Sequence, residues 1–209
     1  MRIERLCVFC GSSVGNLPLY TETVQALANE MAVRHIGLVY GGGNRGLMGL
    51  LATSVHAAGL PVIGISPRRF HKEAVAHPAD EYVLVDTMHE RKELMYRRSD
   101  AFLAIPGGIG TLEELAEIFT WNTIGFSGKP VALLNTAGFY NPFLAQLSQM
   151  VASGFLRADH AARLLVSDSP KGVLDALALA ERTPAPWSVV DSQTSAGNEH
   201  SVVPGTKLI

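Results

Sequence analysis

A Rossmann-like, doubly wound α/β fold is what the 209-residue sequence predicts, on three observations. Seven short, continuous apolar runs recur along the chain, helical apolar patterns lie between them, and glycine-bearing turns close three of the runs. Continuous apolar runs suit strands covered on both faces. Strands alternating with helices suit a mainly parallel sheet of about seven strands, because parallel neighbours need a crossover, and right-handed crossovers put helices on both faces.

The elements follow in order. "RLCVFCG" (5–11) is the first strand run. After Pro18, the residues Tyr20, Val24, Leu27 and Met31 recur at spacings of four, three and four, one apolar stripe of a helix. "GLVYGGG" (37–43) and "PVIGIS" (61–66) flank a helix over 45–58, and "YVLVDT" (82–87) leads into a helix over 88–99. "AFLAIPGG" (101–108), "PVALLN" (130–135) and "RLLVSD" (163–168) are the remaining strand runs, with helices over 111–124, 140–153 and 170–181. From about Thr183 the chain turns rich in Pro, Ser and Gly, so residues 1–182 read as one nucleotide-binding domain and 183–209 as a tail.

Composition narrows the function classes. With 17 Lys and Arg against 19 Asp and Glu, the net charge of -2 gives no long-range attraction for nucleic acid or anionic lipid. No stretch approaches the ~20 apolar residues of a membrane span. Glu4 and Arg5 stand where a signal peptide would carry its apolar core, so a cytoplasmic protein is expected. Cys7 and Cys10 form a lone C-x-x-C inside an apolar run, with no second pair to complete a zinc site, and read as buried, reduced thiols. The seven histidines show no H-E-x-x-H or comparable spacing, and neither a metal nor a cofactor is expected.

In open parallel sheets, ligands collect where strand carboxyl ends meet helix N-termini. Three glycine turns fall there: "CGSSVG" (10–15), "YGGGNRGLMG" (40–49) and "IPGGIGTLEE" (105–114). In the third, Gly107, Gly108 and Gly110 can take positive φ and admit a ligand to the backbone, while the helix that follows offers free N–H groups and a positive dipole to an anion. Thr111 followed three positions later by Glu114 is equally the pattern of a capping box, and the residues alone leave both readings open. The second turn lacks the Lys and hydroxyl of a P-loop, and Ile63 stands where a dinucleotide-binding fold would carry its acidic residue, leaving a wall of a mononucleotide site or a plain turn. Ser12 and Ser13 have no G-x-S-x-G elbow around them.

"DTMHERKELMYRRSD" (86–100) supplies positive charge. Thr87 and Glu90 form a second capping-box pattern, placing Arg91 and Lys92 in the early turns of a helix, on one face with Met88 and Met95. That setting favours anion or substrate contact for Arg91. Arg97 and Arg98 read as a solvated basic face, and His89 as a packing or hydrogen-bonding residue.

Together "MHERK" (88–92) and "PGGIGTLEE" (106–114) resemble the motifs of the LONELY GUY family, the cytokinin riboside 5'-monophosphate phosphoribohydrolases. "YGGGNRGLMG" and "TWNTIGFSGKPVALLN" extend the resemblance over roughly residues 5–180. It implies a Rossmann-like homodimer that hydrolyses a nucleoside 5'-monophosphate to free base and ribose 5-phosphate, with AMP also accepted by many relatives. It also implies that Arg91 and Glu114 are catalytic, and that Glu73, Lys92, Gly108, Ile109, Gly110, Thr111, Leu112, Glu113 and Thr120 contact the nucleotide. Ile109 stands where plant relatives commonly have Tyr, and Arg45 where a small apolar residue is common. Such chains are also described as lysine decarboxylases, but nothing in the sequence marks a pyridoxal phosphate lysine with its supporting partners. A general AMP nucleosidase and a carrier or sensor that binds nucleotide without hydrolysis are the competing readings.

Overall fold

A computed structural model of the chain describes residues 2–70 and 79–180. Glu73 and the segment 183–209 lie outside the described residues. Seven strands, β1 (Arg5–Phe9), β2 (Gly37–Tyr40), β3 (Val62–Pro67), β4 (Glu81–Val85), β5 (Ala101–Ala104), β6 (Val131–Leu134) and β7 (Leu164–Ser167), form one sheet in the order β4-β3-β2-β1-β5-β6-β7. Every pairing is parallel, one degree more uniform than expected. Each strand falls on an expected apolar run, β3 and β4 each reaching one residue beyond it, and β1, β2 and β5 stop short of their runs' terminal glycines, where the chain leaves the sheet.

The helices are α1 (Pro18–Val33), α2 (Gly46–Ala57), α3 (Met88–Arg97), α4 (Ile109–Thr123), α5 (Asn141–Ala152), α6 (Ala158–Ala161) and α7 (Pro170–Leu179). The one-turn α6 and the 3₁₀ turns Arg68–Phe70 and Thr136–Gly138 have no counterpart in the expected pattern, being too short to show a helical period. Along β1 the pleat sends Leu6 and Val8 to a core shared with Leu27, Leu51 and Val173 of α1, α2 and α7. Cys7 and Phe9 go to the opposite core with Met95, Leu115 and Leu147 of α3, α4 and α5. Two covered faces are why the runs lack polar alternation.

The chain builds outward from β1 through β2 and β3 to β4, then crosses to β5 on β1's other side. The order reverses between β1 and β5, and the loops after these two strands part to leave a crevice. The glycine turns at 10–15 and 105–108 face each other there, tied by the Gly11 amide donating to the Pro106 carbonyl at 3.1 Å. Gly46 begins α2 at φ +62, with its backbone against Ser12 and Ser13, where a Cβ would strike their main chain. Three turns thus converge on one crevice.

Candidate active site

Two helices enter this crevice by their N-termini, α3 beside β3 and α4 after β5. Thr87 caps α3, its hydroxyl accepting from the Glu90 amide at 3.1 Å, while the Glu90 carboxylate accepts from the Asp86 amide at 2.9 Å. The Thr87 half of the capping box expected at 87–90 forms, the Glu90 carboxylate taking the amide one residue before the cap, and Arg91 follows directly after it on α3. Arg91 is only 7% exposed. Its Nε donates to the Ile65 carbonyl of β3 at 3.1 Å, and its Nη1 to Glu114 Oε1 of α4 at 2.8 Å. Gly41, just past β2, leaves the guanidinium room beside the main chain; a Cβ there would overlap Nη2.

The second expected capping box does not form. Helix α4 begins at Ile109, two residues before the expected start, with Gly108 as its N-cap and no side chain capping it. Thr111 therefore lies inside the first turn, and Glu114 a full turn in, where its carboxylate meets Arg91 rather than an orphan amide. None of Gly107, Gly108 and Gly110 takes the positive φ that their clustering allows. Gly107 is required by space instead, since a Cβ would strike the Thr111 hydroxyl and stand 2.8 Å from the Gly11 amide. At Gly108 and Gly110 a Cβ would meet nothing within 4 Å, so their bare backbone opens to the crevice.

The resulting cleft has a volume of about 390 Å³. Arg91 and Glu114 form its charged end, Gly108 to Thr111 its rim, and Cys10, Met48 and Met88 its apolar side. The amides of α4's first turn have no partner within the helix and look onto this space, next to the positive end of the helix dipole. Glu114 is 9% exposed, and burial raises its carboxyl above the ordinary range, with Arg91 pulling it part of the way back. In this poorly hydrated setting the ionised form of the carboxylate acts strongly on a developing positive charge. The Cys7 and Cys10 thiols are buried and free, and burial pushes both well above the usual thiol range, so they are inert packing groups here. A smaller cavity of about 280 Å³ adjoins the cleft, sharing Ser12 and Gly108 with it and walled by Val14, Tyr20 and Phe139.

Of the expected site residues, Arg91, Gly108, Ile109, Gly110, Thr111, Glu113 and Glu114 come together at the cleft. Ile109 stands at its mouth, 83% exposed. Leu112 instead packs half-buried against the core under α4. Lys92 does not line the cleft; its ammonium is held by Glu113 at 2.5 Å and Glu117 at 3.0 Å. Thr120 is exposed farther along α4 and away from the cleft. Arg97 pairs with Glu93 on the surface, and half-buried Arg98 with Glu81 of β4. Three cleft residues escaped the sequence reading of individual roles: Cys10, Ser12 and Met48. Their signal was the convergence of glycine turns, which marks a place without naming a side chain.

The chain matches the family model described as "Possible lysine decarboxylase" over residues 48–177. It is 47% identical over 167 residues to "Cytokinin riboside 5'-monophosphate phosphoribohydrolase LOG" of Oryza sativa subsp. japonica, covering 79% of this chain and 69% of the relative. The chain belongs to the LONELY GUY family. A second member, "Cytokinin riboside 5'-monophosphate phosphoribohydrolase LOG2" of Arabidopsis thaliana, is 46% identical over 79% of this chain and 78% of its own length. Among solved structures, the molybdenum cofactor binding protein of Rippkaea orientalis superposes with a TM-score of 0.62 at 23% identity, covering 85% of this chain and 97% of that one, a likeness of fold alone. The family match begins at Met48 and spans both helices that bear the Arg91 and Glu114 pair.

Proposed function

We propose that this chain hydrolyses the N-glycosidic bond of cytokinin riboside 5'-monophosphates, N6-substituted AMP, to free base and ribose 5-phosphate, and that it also cleaves plain AMP. The buried Arg91 and Glu114 pair under an open glycine rim is the observation that carries this reading. The phosphate sits on the bare amides around Gly108 and Gly110 with the Thr111 hydroxyl, where charge-assisted hydrogen bonds of about 1.5–3 kcal/mol each outweigh a dipole contribution of about 0.3–1. The ribose lies against Glu114, and the adenine against the apolar side formed by Met48 and Met88.

Departure of the base leaves an oxocarbenium-like sugar. Glu114 stabilises that positive charge and orients or deprotonates the attacking water, with Oε1 held by Arg91. Arg91 keeps its proton at neutral pH, so it positions the nucleotide and counters negative charge on the departing purine. The phosphate contributes binding energy that fixes the reacting bond, which accounts for a preference for nucleotide over nucleoside. We place this activity in residues 1–182, in a cytoplasmic homodimer. Among the described residues no helix is long and apolar enough to cross a membrane, in keeping with a freely diffusing nucleotide as substrate.

The test is incubation of the purified protein with N6-isopentenyl-AMP, AMP and the matching nucleosides, with free base followed by chromatography. Release of base from nucleotides alone is expected. Binding of nucleotide without any release of base would instead make the protein a carrier or sensor. The ratio of kcat/KM for prenylated and plain AMP separates the cytokinin-releasing enzyme from a general AMP nucleosidase. Glu114→Gln keeps the shape and lowers kcat by about 10²–10⁴.

A further inference from the structure

We propose that Arg45, a free cation at the rim of the crevice, draws the anionic nucleotide to the cleft by long-range attraction, an inference that rests on the hydrolase reading above. Arg45 immediately precedes α2, in extended backbone at φ -113 and ψ 162. The main chain of Gly46, the next residue, packs against Ser12 and Ser13, and Ser12 lines the cleft. Two further amides tie α2 to the same turn, Leu47 donating to the Ser13 carbonyl at 3.4 Å and Met48 to the Gly11 carbonyl at 3.2 Å. Arg45 is therefore held beside the crevice, and it is exposed.

The other cations at this end of the sheet are already engaged. Arg91 and Lys92 meet carboxylates of α4, Arg68 pairs with Asp86, and Arg69 lies over the Phe70 ring. Arg45 has no carboxylate, carbonyl or ring partner among the described residues. Nor does the fold use it: arginine is no helix cap, its side chain makes no capping bond to α2, and a cation there faces the positive end of the helix dipole. The charges within the cleft do not attract an anion from a distance. With Glu114 ionised, Arg91 and Lys92 stand as two cations against the three carboxylates Glu113, Glu114 and Glu117. The net charge of -2 on the whole chain adds no attraction either. The bare amides around Gly108 and Gly110 act only once the phosphate is within hydrogen-bonding distance, about 3 Å. Arg45 brings the local balance to neutral, and its charge acts over the Debye length, about 30 Å at 10 mM salt and about 3 Å at 1 M. A nucleotide phosphate carries about -1.5 to -2 at pH 7. A unit charge about 8 Å from such a group in water raises its local concentration about three- to fivefold at low salt.

The variants are Arg45→Met and Arg45→Glu, with Arg97→Met as a control that removes one positive charge from the surface away from the cleft. Each is assayed for AMP cleavage at about 10 mM and about 1 M salt, with calorimetry for AMP binding and adenosine as an uncharged competitor. At low salt KM for AMP should rise about three- to fivefold in Arg45→Met and about tenfold or more in Arg45→Glu, with kcat within about twofold of wild type, because the lost interaction is the same in ground and transition states. At 1 M salt the three proteins should converge, and the adenosine inhibition constant should stay unchanged throughout. Thermal stability should hold in both variants, since no partner of Arg45 is lost. A KM that stays at the wild-type value in Arg45→Glu at low salt would overturn the proposal. So would a rise that persists at 1 M salt, which would make Arg45 a direct contact, or an equal rise in Arg97→Met, which would make the effect one of net charge. If wild type cleaves no nucleotide, the hydrolase reading fails, and the AMP Kd measured at the two salt concentrations still decides the role of Arg45.

Discussion

Replacing Gly41 with Ala adds one methyl group at the place where the structure leaves room for none. Gly41 is not in the left-handed region, so the main chain accepts Ala without strain. The new Cβ, however, would overlap Arg91 Nη2 and stand 3.1 Å from its Cζ, with the Met48 sulfur 3.5 Å away on the other side. Ordinary contact needs about 3.5 Å, so the guanidinium must retreat by about 1 Å or more. It cannot do so while keeping both its 3.1 Å bond to the Ile65 carbonyl and its 2.8 Å bond to Glu114. Overpacking of this kind costs about 1–3 kcal/mol, rising toward 3–5 if the buried pair parts fully. Misplacement by 1 Å lowers kcat/KM about 10²-fold, equivalent to about 2.7 kcal/mol of transition-state stabilisation. Urea denaturation and AMP turnover measure the two quantities separately. A Gly41→Ala protein that keeps wild-type kcat/KM within about twofold would show that Arg91 need not lie where it does, and the reasoning about the pair would fall.

Further outcomes follow from the same geometry. Activity should fall on the acid side at a pH above the ordinary carboxylate range, because burial raises Glu114 and the ionised form is the working one. Arg91→Met removes the opposing cation and should drive that acid limb higher still, read from kcat against pH; a limb that stays put would remove Glu114 from the role. The corresponding stability contribution is fully present below the unfolded carboxylate's pKa and is lost as pH rises through the higher folded value, so wild type should lose stability relative to Glu114→Gln over that window. Gly108→Ala adds a methyl group that meets nothing in the fold, so stability should change by about 0.5 kcal/mol or less, while KM for AMP rises because the methyl group occupies the phosphate rim. A wild-type KM in that variant would place the phosphate elsewhere.

The layered fold was legible because covered strands leave a strong trace. "RLCVFCG" has no polar alternation, and β1 proves to be buried on both faces. Arg91 was legible for a related reason, since a cation on a helix face shared with Met95 is costly unless a partner awaits it. Its partner's atom was not legible. That Arg91 should meet Glu114 depends on how α3 and α4 cross beside β3, a contact between residues 23 apart that no local spacing encodes. Lys92 shows the converse: its place next to Arg91 suggested the same destination, but the side chain projects from a different side of α3 and reaches the other flank of α4.

The two T-x-x-E patterns show how much the helix start decides. Thr87 precedes a helix whose first residue is Met88, so its hydroxyl meets the unpaired Glu90 amide and caps the helix, while the Glu90 carboxylate reaches back to the Asp86 amide. Thr111 has the same sequence relation to Glu114, but the chain before it contains Gly107 and Gly108, which let the backbone turn and begin the helix at Ile109. Three extra residues carry Thr111 past the cap position and rotate Glu114 by about 300° relative to where a box-forming residue would face. The rotation takes the carboxylate off the helix end and into the crevice, against Arg91. Those glycines therefore do two things at once: they leave the first-turn amides uncovered for an anion, and they set the register that turns a helix-capping pattern into a buried ion pair beside it.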